Sequence, residues 1–100
     1  MGMKETYLRN VEEKLRVWKE EVERLRLSLG IMDKQNKKNY ERYIQKVINS
    51  LDLIIRTFHE LSRTEEEEHW QRLTVRIEEE MIEFKTNLAN ALAKIKTNKI

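Results

Sequence analysis

The chain has 100 residues, of which 20 are basic and 18 acidic, with a formal net charge of +2, two glycines, no proline and no cysteine. That length supports one domain with a slim core, and the near-balanced charge argues against a whole-chain polyanion binder. Without cysteine there is no disulfide framework, thiolate metal site or thiol nucleophile. Charged residues make up 38% of the chain, and Glu, Lys, Arg and Leu dominate, which is the composition of long helices or coiled coil. No apolar run approaches the length of a membrane span, and the charged first residues lack a secretory hydrophobic region, so the cytoplasm is the expected compartment.

The first predicted helix covers about 4–29. Leu8, Val11, Leu15, Trp18, Val22, Leu25 and Leu29 alternate at spacings of three and four, a heptad seam. Charges between them suit i to i+4 pairing, Glu12 with Arg16 and Glu20 with Arg24. Val17 and Leu27 fall off the seam. Gly30 then stands where a left-handed C-cap is expected, and Asp33 is positioned to cap the next helix.

The second helix covers about 34–61 and carries the widest apolar face. Tyr40, Ile44, Val47, Leu51, Ile54, Phe58 and Leu61 form its seam, and Ile48 and Ile55 broaden one side. A stripe of that width needs two covering helices, which makes this the central one. Ser62 with Glu65 and Thr64 with Glu67 read as overlapping capping boxes that start the third helix at Thr64. Glu65 to Glu68 would then occupy its first turn, and Lys94, Lys96 and Lys99 its opposite end, as the macrodipole favours.

The third helix covers about 64–96, with a seam of Trp70, Thr74, Ile77, Met81, Phe84, Leu88, Ala91 and Ile95. Thr74 is its weak point, and neighbouring Leu73 is available to replace it. Three helices of similar length joined by short turns predict a single all-α domain over residues 1–100, an antiparallel up-down-up three-helix bundle about 40 Å long at 1.5 Å per residue. Counting out from the turns places Leu25, Tyr40 and Leu88 in one layer. Trp18, Val47 or Ile48, and Met81 share the middle one, and Trp70 lies near Val11 and Phe58.

Tyr7-x10-Trp18-x2-Glu21-Val22, the Thr64-Glu65-Glu66 start with Trp70, and Ala89-Asn90-Ala91-Leu92-Ala93 together resemble small bacterial coiled-coil proteins. The likeness covers most of the chain. It implies three helices, a cytoplasmic setting and no catalytic residues. The aliphatic centre from Val47 to Ile55 and the glycine break depart from that pattern.

Four constellations carry functional readings. Lys34, Lys38, Arg42 and Lys46 form an i, i+4 row which, with Lys37, makes a basic ridge about 18 Å long at 1.5 Å per residue. Such a ridge suits phosphates of a nucleic acid or an acidic lipid surface. The plainer reading is a solvated face balanced across the bundle by Glu20, Glu21, Glu23 and Glu83. Val75, Ile82 and Ala89 recur every seven residues outside the third seam, with Leu92 beside them, as a homodimer stripe or as broadened internal packing. Glu66-x-x-His69 has the spacing of a bundle carboxylate metal motif, but it occurs once and no glutamate occupies a seam, so a solvated helix terminus is the simpler reading. Arg9, Arg24 or Arg26, and Lys34 faintly echo all-helical chorismate mutases, yet aliphatic residues fill the seams where such a pocket needs cations. The sequence therefore points to a non-enzymatic scaffold or protein-interaction module without cofactor. Anionic-surface binding through the ridge is the alternative, and an enzyme comes third.

Overall fold

The computed structural model describes residues 2–97, which form three helices: α1 Met3–Gly30, α2 Lys34–Arg63 and α3 Glu67–Thr97. They pack as the expected all-α three-helix bundle. Lys4 pairs with Glu67, Tyr7 meets Trp70 and Trp18 meets Phe84, so α1 and α3 ascend together while α2 runs back between them. The extents are 50 × 20 × 17 Å, longer than the expected rod because the helices run to 28, 30 and 31 residues.

The heptad seams become the core. Val11, Leu15, Trp18, Val22 and Leu25 are buried from α1, and Tyr40, Ile44, Val47, Leu51, Ile54 and Leu61 from α2. Ile48, Ile55 and Phe58 are half-buried against this core. In α3, Leu73 is 1% exposed while Thr74 is half-buried, so the leucine takes the seam position. The Thr74 hydroxyl instead donates to the Gln71 carbonyl on its own helix. Trp70 packs with Leu61, Leu73, Tyr7 and Leu8, nearer the open end than the expected layer with Val11 and Phe58.

The three interfaces are not equivalent. Cα atoms of α2 approach those of α3 and of α1 within 8 Å, but none of α1 comes that near to α3. Small buried residues, Ser50 and Thr57 on α2 and Ala91 on α3, suit a close α2–α3 approach. Large side chains fill the wider α1–α3 gap: the Trp18 and Phe84 ring centroids lie 4.8 Å apart, and those of Tyr7 and Trp70 6.1 Å. Aromatic pairs at these separations add attraction beyond the area they bury.

Both turns differ from expectation in how they close. Gly30 is the last residue of α1 and has no positive φ; the cap is Ile31 at φ −101°, ψ 0°, and the Met32 N–H donates to the Leu29 carbonyl. A tightened last turn of this kind satisfies a terminal carbonyl without a left-handed residue. Asp33 does cap α2: its carboxylate accepts from the Asn36 N–H at 2.8 Å. At the second turn the two capping boxes do not form. Ser62 donates to the His59 carbonyl and Thr64 to that of Glu60, so these hydroxyls finish α2, which runs on to Arg63. The terminal carbonyls of α2 attract the hydroxyls first, and α3 begins later, at Glu67. Glu67 and Glu68 occupy its first turn, where the macrodipole favours them. Lys99 lies outside the described residues.

Candidate interaction surfaces

The solvent face of α3 follows from its sequence. With Trp70, Leu73, Ile77, Met81, Phe84 and Ala91 turned inward, Val75, Ile82 and Ala89 stand on the far side. Val75 is 61% and Ile82 65% exposed, and Leu92 is 40% exposed. Ala89 is exposed as well. The stripe therefore does not broaden the internal packing; it faces water along about 21 Å of helix at 1.5 Å per residue.

One edge of this stripe is fixed against α1. The Tyr7 hydroxyl donates to Glu78 at 2.7 Å, and Lys85 Nζ lies 6.0 Å from the centre of the Trp18 ring. Burial pushes the Tyr7 phenol well above its ordinary range, and the Glu78 carboxylate adds to the shift. Below it, Lys4 bonds Glu67 at 2.8 Å and lies over the Trp70 ring, holding that carboxyl below the usual range. Sequence reasoning passed over this corner. The available signal was Tyr7, an aromatic beside the first seam at the same height as Trp70.

The five cations of the basic ridge, Lys34, Lys37, Lys38, Arg42 and Lys46, are all exposed. Among the described residues none of the five lies within 4 Å of a carboxylate, so the expected balance by Glu20, Glu21, Glu23 and Glu83 does not take the form of ion pairs. On α1, Arg16 bridges Glu13 at 2.7 Å and Glu20 at 3.5 Å rather than reaching Glu12.

The histidines are separated by the second turn. His69 reaches Glu60 at 3.5 Å, which also faces Arg76 at 3.8 Å, while Glu66 is exposed. Among the described residues no group of three or more His, Asp or Glu is placed to hold a metal ion. The arginines of the enzyme comparison do not converge on a pocket: Arg9, Arg24 and Arg26 are exposed, as is Lys34 on the next helix.

Two buried polar groups were not legible from the heptad pattern. Ser50 donates to the carbonyls of Lys46 and Val47, which satisfies its hydroxyl within α2. Thr57, one heptad later, faces α3 at the level of Glu80; burial raises the Glu80 carboxyl above its ordinary range against the opposing pull of Thr57 and Arg76, and among the described residues Glu80 Oε1 has no hydrogen-bond partner. Their seven-residue spacing at the edge of the central stripe was the signal. Among the described residues the buried Tyr40 hydroxyl has no hydrogen-bond partner. Among the described residues no helix is long and apolar enough to cross a membrane. No protein-family model, curated protein or solved structure matches the chain.

Proposed function

We propose that this chain is a non-enzymatic, cytoplasmic interaction module that docks a protein partner through the outer face of α3. The observation carrying this reading is the exposure of Val75 and Ile82 at 61% and 65% on a helix whose other face is fully engaged in the core. Wet apolar residues in register along one helix mark a surface that gains by being covered. The interior supports the non-enzymatic reading, since its seams are aliphatic and aromatic and Ser50 is satisfied within its own helix. The test is a photo-cross-linking residue at position 82 in living cells, with position 56 on the outer face of α2 as control. Protein adducts at 82 but not at 56 are expected. Equal labelling at both, or none at 82, refutes the reading.

A second reading rests on the ridge, whose five cations are exposed and have no carboxylate ion pair among the described residues. A cation row without internal counter-charges is available to phosphates of a nucleic acid or an acidic lipid surface. Replacing Lys34, Lys38, Arg42 and Lys46 with glutamine leaves the core untouched. Under this reading the wild type binds DNA or anionic vesicles at low salt, and the variant binds more weakly with a flatter salt dependence. A wild type without affinity at low salt removes it.

A further inference from the structure

We infer that the partner on the α3 face is a second copy of the same chain, packed antiparallel about a twofold axis at Ile82. This inference rests on the α3 docking reading and adds the identity and register of the partner.

The first argument is charge. From Glu67 to Glu83, α3 carries six acids and two arginines; from Phe84 to Thr97 it carries three lysines and no acid. Glu78, Glu79, Glu80 and Glu83 lie beyond the first turn, outside the reach of the helix dipole. The polarity is therefore more than capping. Two copies side by side in parallel set acid against acid; antiparallel, each acidic half meets a basic half, and the helix dipoles oppose as well.

The second argument is register. A twofold through Ile82 sets position i opposite 164 − i, which puts Val75 against the partner's Ala89 at both ends of the seam. A larger side chain meets a smaller one each time, and the two Ile82 side chains meet on the axis. A parallel pairing sets Val75 against Val75 and leaves two alanines facing each other across a gap. Glu78 and Lys85 occupy the same flank of the stripe, and antiparallel packing brings flank onto like flank, so Glu78, opposite position 86, lies one residue from the partner's Lys85 on that flank, and this pair occurs twice. The α1 contacts already described hold both near that edge, since Glu78 accepts from Tyr7 and Lys85 lies over Trp18. The carboxylate retains acceptor capacity for a second donor. Exposed pairs of this kind set orientation more than strength, and the apolar seam supplies the attraction.

The native chain has no cysteine, which permits single-cysteine cross-linking without background. Ile82→Cys is expected to form a self-disulfide under mild oxidation. Val75→Cys and Ala89→Cys are each expected to cross-link poorly alone and readily when mixed. Sedimentation equilibrium of the wild type at tens of micromolar, a concentration matched to modest affinity, should show a dimer. Ile82→Glu should give a monomer with unchanged helical signal, and Lys85→Glu should weaken the dimer by about threefold to tenfold through the loss of exposed pairs. Self-disulfides of Val75→Cys and Ala89→Cys would establish a parallel pairing and overturn the register. A wild-type monomer, or a dimer unaffected by Ile82→Glu, overturns the dimer. Adducts of position 82 in cells at the mass of a different protein would leave the docking reading standing while the self-pairing falls.

Discussion

Leu51→Ala tests the central layer of the bundle. Leu51 is 5% exposed at the middle of α2, inside the core cluster that joins all three helices. Truncation removes three carbons, and at about 0.8 kcal/mol per buried methylene the lost transfer alone is roughly 2.4 kcal/mol. Incomplete collapse around the cavity adds to this, bringing the expected loss to about 3–5 kcal/mol, within the range for buried leucines. The better helix propensity of alanine offsets only a few tenths of a kcal/mol. For a domain of this size, with a total stability of about 5–15 kcal/mol, that is a large fraction. Val17→Ala is the matched control: Val17 lies on α1 at 42% exposure, and its loss should stay within about 0.5 kcal/mol. Urea melts followed by circular dichroism measure both, and a lowered midpoint with an unchanged slope identifies a stability effect. Equal losses for the two variants would refute the assignment of Leu51 to the core and Val17 to the surface.

Asp33→Ala should destabilise by about 1 kcal/mol, because the carboxylate that accepts from the Asn36 N–H is removed; an unchanged urea midpoint would show that the cap contributes nothing. Glu80→Gln tests the half-buried carboxyl between α2 and α3. Burial raises the folded-state pKa of Glu80, so the folded state holds the proton more tightly, and stability falls as pH rises from the ordinary carboxylate range through the raised value. The glutamine variant should therefore exceed the wild type in stability at neutral pH and lose that advantage in acid, and urea melts across that window would contradict this if the difference were constant.

The sequence by itself determined that the chain is helical, that it has three helices and most of the apolar side chains that are buried, because a heptad repeat leaves one covered face per helix whatever the partner. It also determined the Asp33 cap, since side chain and backbone donor lie three residues apart. The second turn was open on local grounds. Ser62 and Thr64 have hydroxyls that suit either the carbonyls before them or the N–H groups after them, and the tertiary structure assigns them to the end of α2. Leu73 over Thr74 was likewise decided by packing, which turns α3 until the larger apolar side chain faces Trp70 and Leu61. The exposure of Val75 and Ile82 was beyond the pattern as well. A second apolar stripe has the same spacing whether another helix of the bundle covers it or water does, and only the placement of α1 along one edge of the stripe, rather than over it, leaves it wet. The same holds for the unequal interfaces: residue size suggests them, but the distances among three helices are set jointly by all three, which no single segment specifies.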